Sequence, residues 1–277
     1  MIFDTHLHLI DRQALHYPWL SSVPALNRDF LHEQYALEAR RAGIEGAFHM
    51  EVDVHPNDIE AETAHVKALA TNADSLVRGA IASCRPEESG FPAYLDRVRS
   101  EPFVKGFRRV LHVVPDDVSE GALFRENIRR IGGGLTFDLC VLPHQIPKAI
   151  ALIDLAPETT FVLDHCGVPD IKGGIEHPWR EHIAEISRRP NVVAKISGIV
   201  AYANPDEWSV ETLRPYAEHV ITSFGWDRVV WGSDWPVCTL GGGLSTWVAA
   251  THALLAGTSI DERSQLLSAN AKRLWRV

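Results

Sequence analysis

Two histidines one residue apart, His6 and His8, lie in the first apolar segment of the chain. In a β-strand, side chains two positions apart point to the same side, so both imidazoles can reach one divalent metal ion. With 14 histidines among 277 residues, about one such pair is expected by chance. Whether the histidine pair is functional therefore depends on the secondary structure around it and on the other residues that the fold brings close.

Eight short apolar segments alternate with amphipathic ones, a pattern typical of βα units around a parallel sheet. The predicted strands span Ile2–Leu9, Gly46–Val52, Leu76–Ser83, Val104–Val110, Leu135–Val141, Thr160–His165, Val192–Ser197 and Arg228–Ser233. The predicted helices span Asn57–Thr71, Phe91–Ser100, Ser119–Ile131, Pro143–Leu155, Pro178–Arg188, Val210–Phe224, Ser245–Leu255 and Asp261–Ser268. This pattern predicts the α/β class and one domain, a (β/α)8 TIM barrel over residues 1–277. An open doubly wound sheet is the alternative, but no Gly-x-Gly-x-x-Gly pattern follows the first strand.

The segment Asp11–Asp29, between the first strand and the second, is rich in aromatic residues and proline. It is too long for a minimal loop in a βα unit. We therefore expect either an active-site loop or a surface insertion.

Composition limits the partners. A formal net charge of −9 argues against a nucleic-acid or anionic membrane surface, and favours a small neutral or weakly charged ligand. The four cysteines form no Cys-x-x-Cys pair. No secretory signal pattern or apolar run of membrane-spanning length is apparent, so the sequence predicts a cytoplasmic protein. It predicts nothing about the oligomeric state.

Residues suited to hydrolytic chemistry lie at the predicted strand ends, which converge on one face of a TIM barrel. His6, His8 and Asp234 can bind zinc and leave a position open for water or a substrate oxygen. Asp234 is also a candidate general base. His165 ends the sixth strand, and Arg108 could face a substrate carboxylate or oxyanion, although an ordinary ion pair explains an arginine there equally well.

Four further residues are candidates for binding the substrate: Glu51, Lys195, Trp208 and Trp235. Glu51 could accept a hydrogen bond from a substrate hydroxyl, or it could be a solvated strand end. Lys195 could face the barrel interior as part of an internal salt bridge. An indole can stack on the apolar face of a sugar, but packing within the protein is a common alternative for each tryptophan.

Five segments, in order along nearly the whole chain, resemble the amidohydrolase superfamily. The resemblance is to its branch of lactone hydrolases, which includes L-fuconolactonases, L-rhamnonolactonases and pyrone dicarboxylate lactonases. The matching segments are Phe3-Asp4-Thr5-His6-Leu7-His8, Lys105-Gly106-Phe107-Arg108, Leu163-Asp164-His165-Cys166-Gly167-Val168-Pro169-Asp170, Val193-Ala194-Lys195-Ile196-Ser197-Gly198 and Trp231-Gly232-Ser233-Asp234-Trp235-Pro236-Val237.

The resemblance implies a distorted (β/α)8 barrel in which His6, His8 and Asp234 hold zinc or another divalent ion. It also implies that Asp234 handles the proton of the attacking water, and that His165 orients substrate or water or joins the metal ligands. The predicted fifth strand contains neither histidine nor lysine, so a two-metal site bridged by a carboxylated lysine is not expected. The pyrone branch is thought to work without metal, so metal dependence stays open.

The expected reaction is hydrolysis of a sugar-derived lactone, with L-fuconolactone among the candidates, to its aldonic acid. The metal or Arg108 would polarise the carbonyl, and Trp19, Tyr202 and Trp208 are candidates for setting specificity. One alternative is a metal-dependent non-oxidative decarboxylase of an aromatic acid, which usually has a metal-binding histidine on the fifth strand. Another is a non-catalytic barrel that binds a sugar.

Overall fold

The structure is a computed structural model that describes residues 1–277. Eight strands form one sheet in sequential order, and each pairs in parallel with the next. They are β1 (Ile2–Leu7), β2 (Ile44–Met50), β3 (Val77–Ser83), β4 (Val104–Val110), β5 (Thr136–Cys140), β6 (Thr160–Leu163), β7 (Val192–Ile196) and β8 (Val229–Trp231). The single-domain (β/α)8 barrel predicted from the sequence is confirmed.

The barrel closes between β1 and the chain that follows β8. The backbone N–H of Asp234 donates to the carbonyl of His6 at 2.8 Å, and the N–H of His8 donates to the carbonyl of Trp235 at 2.7 Å. The seam of the barrel therefore runs through the segments that carry the predicted metal ligands.

Helices pack around the barrel between and after the strands. They are α1 (His32–Arg41), α2 (Ile59–Ala70), α3 (Phe91–Arg99), α4 (Ala122–Arg130), α5 (Ile146–Leu155), α6 (Trp179–Ile186), α7 (Val210–Phe224), α8 (Leu244–Leu254), α9 (Ile260–Ser264) and α10 (Asn270–Trp275). A π-helical turn, Gln265–Ala269, joins the last two. No helix is long and apolar enough to span a membrane.

The sequence analysis missed two helices, α1 and α10, the second because the last predicted helix ends at Ser268. It predicted none between the first two strands, but α1 occupies His32–Arg41. Its four buried residues, His32, Tyr35, Ala36 and Ala39, do have the i, i+3, i+4, i+7 spacing of an amphipathic helix. They are a histidine, a tyrosine and two alanines, so no row of large apolar side chains marks the helix in the sequence.

The main apolar core contains 69 buried residues, most of them between the strands and the surrounding helices. Trp231 of β8 stacks on Trp247 of α8, with ring centroids 6.4 Å apart. A separate cluster of eight buried residues joins strand residues such as Phe48 to Trp275 of the last helix. This packing holds the strands as a rigid frame for their carboxyl ends.

Gly106 marks a close approach between β4 and β5. A Cβ atom there would overlap the Thr136 hydroxyl and lie 2.6 Å from the Thr136 carbonyl oxygen, which the sheet holds in place. We therefore expect Gly106→Ala to destabilise the protein by about 1–3 kcal/mol in urea unfolding. Gly90→Ala is the matched control, because no atom lies within 4 Å of its added Cβ. Equal losses in the two variants would contradict this account.

Candidate active site

The carboxyl ends of the strands open into a cavity of about 390 Å³. Four of its lining residues are predicted site residues: His8, Arg108, His165 and Asp234. Each has at most 6% of its surface exposed, so these polar side chains lie at the buried floor of the cavity. The structure thus brings together residues from four different parts of the chain.

His6, His8 and Asp234 converge on one point of this floor. The Nε2 atoms of the two histidines lie 3.1 Å apart. Asp234 Oδ1 lies 3.4 Å from His8 Nε2 and 3.7 Å from His6 Nε2. His6 itself is fully buried just below the cavity.

Backbone conformation aims Asp234 and His165 at the same point. Both follow the end of a strand and adopt the left-handed conformation, with φ of 56° and 53°. Few non-glycine residues adopt this conformation, and those that do are found disproportionately at functional sites. Gly198, with φ of 67°, leaves the necessary room: a Cβ there would lie 2.5 Å from Asp234 Oδ2 and 2.6 Å from His165 Nδ1. The Ser197 hydroxyl lies 3.0 Å from His165 Nδ1 and fixes that ring.

Arg108 is anchored by Glu51. The guanidinium donates to the Glu51 carboxylate at 2.6 Å and to the Glu51 carbonyl at 2.7 Å. Its Nη1 atom lies 3.3 Å from His6 Nε2 and 3.5 Å from Asp164 Oδ2. Glu51 does not line the cavity, so its contact is with Arg108 rather than with the cavity space.

Lys195 lies below the floor and does not reach the cavity. It is fully buried, and its Nζ atom lies 2.6 Å from Asp138 Oδ2, 2.8 Å from Asp164 Oδ1 and 3.2 Å from His6 Nδ1. The internal salt bridge considered above is therefore what the structure contains, and direct substrate binding by Lys195 does not fit this position. Asp138, on β5, is a partner of Lys195 that the sequence analysis did not identify.

Two tryptophans proposed to touch the substrate pack elsewhere. Trp235 packs against Phe30 and Tyr35, with ring centroids 5.4 and 5.5 Å away. The Trp208 indole donates to the carbonyl of Gly241 at 3.0 Å. Neither residue lines the cavity, so both serve packing in this structure.

Other cavity residues could be found only in part from sequence. Trp19 and Tyr202, named above as candidates for specificity, do line the cavity. His112 and Cys140 line it as well, and the sequence analysis assigned them no role. Both lie at the carboxyl ends of β4 and β5, which is the signal that could have found them.

Asp4 is another residue that the sequence analysis left without a role. Its Oδ1 atom accepts the backbone N–H groups of His6 at 3.0 Å and Ser233 at 2.7 Å, and its Oδ2 atom accepts the Tyr35 hydroxyl at 2.7 Å. Asp4 therefore ties the strand that carries the histidines to the turn that carries Asp234.

Burial sets the protonation states of the floor. Loss of solvent lowers the pKa of His8 to about 3 and holds the pKa of His6 well below its usual value, so both imidazoles are neutral near pH 7. Loss of solvent also raises the pKa of Asp234 to about 6. Asp234 is thus a carboxylate at neutral pH, but a more basic one than usual.

Charge balance suits a divalent cation. Four buried carboxylates face two buried cations in this region; the carboxylates are Glu51, Asp138, Asp164 and Asp234, and the cations are Arg108 and Lys195. Burial raises the pKa of Asp138 to about 7, so between one and two negative charges remain near neutral pH. Asp234 Oδ2 is buried without a hydrogen-bond partner, as expected for an atom that interacts with a ligand.

The donor geometry also suits a metal ion. Two ligand atoms of tetrahedral zinc lie about 3.3 Å apart, close to the spacings among His6, His8 and Asp234. His8 Nδ1 lies 3.0 Å from the carbonyl oxygen of Met50, which can only accept a hydrogen bond. The proton of the neutral ring is therefore on Nδ1, and Nε2 is free to bind a metal ion. A second set, His6, Asp164 and His165, also has donor atoms within 4.8 Å of one another. The first set is the better one because Lys195 already neutralises Asp164.

Comparison with known proteins identifies the family and agrees with the fold. A family model described as amidohydrolase matches residues 3–277. The chain is 25% identical over 281 residues to an L-fucono-1,5-lactonase of Burkholderia ambifaria, covering 99% of this chain and 95% of that protein. It is 26% identical over 238 residues to a 4-sulfomuconolactone hydrolase of Rhizobium radiobacter, covering 84% and 75% of the two chains.

A solved structure of similar fold is an amidohydrolase from Burkholderia multivorans with bound zinc. It is 22% identical with a TM-score of 0.89, and the match covers 100% of this chain and 99% of that one. At this identity, the likeness shows the fold alone. The family model, in contrast, spans nearly every residue, so this chain belongs to the amidohydrolase family and is a hydrolytic enzyme.

Proposed function

We propose that this protein hydrolyses a lactone to the corresponding hydroxy acid. The observation that carries the proposal is the convergence of two neutral imidazoles and the Asp234 carboxylate on the floor of a closed-ended cavity. The names of two relatives, an L-fucono-1,5-lactonase and a 4-sulfomuconolactone hydrolase, support ring opening of a lactone. A sugar-derived lactone is the first substrate class to test, because the resemblance described above predicts it.

His6, His8 and Asp234 would hold one divalent ion. Zinc is the candidate, since these are nitrogen and carboxylate donors and a protein of the same fold contains zinc. When bound, the ion supplies Lewis-acid polarisation at the floor of the cavity. The β5 strand offers neither histidine nor lysine, so a single ion is proposed.

The side chains divide the remaining work. Asp234 accepts a proton from the attacking water as the water oxygen bonds to the lactone carbonyl carbon. The Arg108 guanidinium, held by Glu51, stabilises the negative charge that develops on the carbonyl oxygen. The bond between the acyl carbon and the ring oxygen then breaks, and the ring oxygen takes the proton from Asp234. His165, fixed by Ser197, positions the substrate beside Asp234.

The direct test is turnover. The purified protein, with and without added zinc, is assayed for acid release from five- and six-membered aldonolactones, including L-fucono-1,5-lactone, and from unsubstituted lactones of both ring sizes. The panel also includes alkyl-substituted lactones such as δ-nonalactone, and we expect ring opening above the uncatalysed rate for at least one of its members. Failure with every lactone under both conditions contradicts the proposed function.

Zinc binding should depend on pH in a defined way. In the metal-free protein Asp234 has a pKa of about 6, so protons compete with the metal below that pH. The low pKa values of His6 and His8 keep them from competing in the same range. Calorimetric titration should give a constant Kd above about pH 6.5 and weakening of about tenfold per pH unit below 6. A steeper fall would mean that a histidine also takes up a proton, contrary to this account.

A further inference from the structure

Above its polar floor, the cavity is walled by apolar side chains. Three separate parts of the chain supply them: the segment between β1 and α1, the end of β4, and the turn after β8. They include Trp19, Val23, Leu26, Val110, Val237 and Leu240. Val113 lies at the cavity edge with 60% of its surface exposed, so the apolar character continues to the surface.

Several polar groups of this wall are already engaged by the protein, and of the two hydroxyl groups that line it only that of Tyr202 makes no hydrogen bond. The Ser22 hydroxyl donates to the carbonyl of Trp19 at 2.7 Å, and the Trp19 indole donates to the carbonyl of Val52 at 2.8 Å. His112 Nδ1 lies 3.1 Å from Cys140 Sγ. A substrate with several hydroxyl groups would lose water on entering and find few partners, at a cost for each unpaired group.

Charge at the wall also disfavours an anionic substrate. Asp53 and Asp234 line the cavity with carboxylates, and Arg108 is the one lysine or arginine that lines it. Arg108 is committed to Glu51, and Asp53 to Arg85 at 3.3 Å. Arg108 and the proposed ion lie at the floor, where they serve the lactone carbonyl, so a carboxylate or sulfonate on a substituent that extends along the wall would find no cation of its own.

The apolar side chains, the few free polar groups and the charges of the wall together indicate which substituent a lactone substrate would carry. We infer that the preferred substrate is a lactone whose ring carries an apolar substituent, such as an alkyl chain, which extends along this wall while the ester lies at the floor. The inference rests on the proposed lactone hydrolysis and narrows its substrate class, since highly hydroxylated and anionic lactones fit the wall less well. Each methylene buried against such a wall adds about fourfold to binding.

The test compares three six-membered lactones at the same pH, after subtraction of the uncatalysed rates. They are δ-valerolactone without a substituent, δ-nonalactone with a butyl chain, and D-glucono-1,5-lactone with hydroxyl groups and a hydroxymethyl group. We expect kcat/KM for δ-nonalactone to exceed both others by at least about tenfold. Faster opening of gluconolactone than of nonalactone overturns the inference and leaves lactone hydrolysis standing.

Two variants locate the effect. Val23→Thr and Val237→Thr keep the shape of the side chain but add a hydroxyl to the wall, and each should lower the nonalactone-to-valerolactone ratio of kcat/KM by about threefold or more. Val277→Thr is the matched control, since Val277 is the exposed last residue and does not line the cavity. Equal ratios in all three variants would contradict a substrate contact at this wall.

A binding measurement distinguishes failure of the inferred apolar pocket from failure of the proposed lactone hydrolysis. The lactams that correspond to valerolactone and nonalactone are titrated by calorimetry, because their binding requires no ring opening. If no lactone is opened but the butyl lactam binds at least about tenfold more tightly, the proposed function falls and the apolar pocket stands. If neither turnover nor binding favours the butyl chain, the inference is overturned.

Discussion

Replacement of Asp234 by asparagine should lower kcat by about 10²–10⁴-fold while the barrel stays folded. Asparagine keeps the size of the side chain, but its amide cannot take a proton from water. The backbone bond from residue 234 to the His6 carbonyl at 2.8 Å does not involve the side chain and is retained. Steady-state turnover of the best lactone substrate, together with circular dichroism, checks both parts of this expectation.

The matched control is Asp154→Asn. Asp154 is half exposed on α5, pairs with Arg189 at the surface and does not line the cavity. Its replacement should therefore leave kcat within about twofold. The zinc Kd of Asp234→Asn should also rise, because one anionic ligand is lost. Turnover of Asp234→Asn at the wild-type rate would exclude Asp234 as the base.

Replacement of Lys195 by methionine should destabilise the protein by about 3–5 kcal/mol. Methionine fills similar space but leaves Asp138 and Asp164, both fully buried, without their shared cation. Unfolding in urea measures the loss of stability. Stability is measured rather than turnover because Lys195 lies below the cavity and does not line it.

Two further variants test the cause of that loss. Lys67→Met removes a lysine whose pair with Glu101 is at the surface, with half of the lysine side chain exposed, and should cost less than about 1 kcal/mol. Adding Asp138→Asn to Lys195→Met should recover part of the stability, because one unpaired buried charge is removed. No recovery in the double variant would indicate that packing, rather than charge, explains the loss.

The barrel could be predicted from sequence because its signals are local. The strand Val104–Val110 and the long amphipathic helix Val210–Phe224 have the bounds that the sequence predicts. Helix α1 was missed because its buried face consists of a histidine, a tyrosine and two alanines rather than large apolar side chains. The ends of β6 and β8 were placed too late, because His165 and Asp234 lie in left-handed turns that periodicity does not reveal.

The candidate site was predictable as a set of residue types at strand ends, but not as a set of contacts. His8, Arg108, His165 and Asp234 do meet in one cavity. The sequence could not show that the Glu51 carboxylate pairs with Arg108, or that the Trp235 ring packs against Phe30. These choices depend on the tilt of neighbouring strands and on rotamers, which one strand's sequence does not determine.

Because the barrel closes between β1 and the chain that follows β8, catalysis should require that folding is complete. Asp4, His6 and His8 come from the first strand, whereas Ser233 and Asp234 come after the last, and direct backbone and side-chain bonds join them. The proposed metal ligands and base therefore cannot meet until the two ends of the sheet have paired. Any intermediate in which β1 or β8 is undocked lacks a complete proposed site, so recovery of lactone turnover during refolding would report the final closure of the ring of strands.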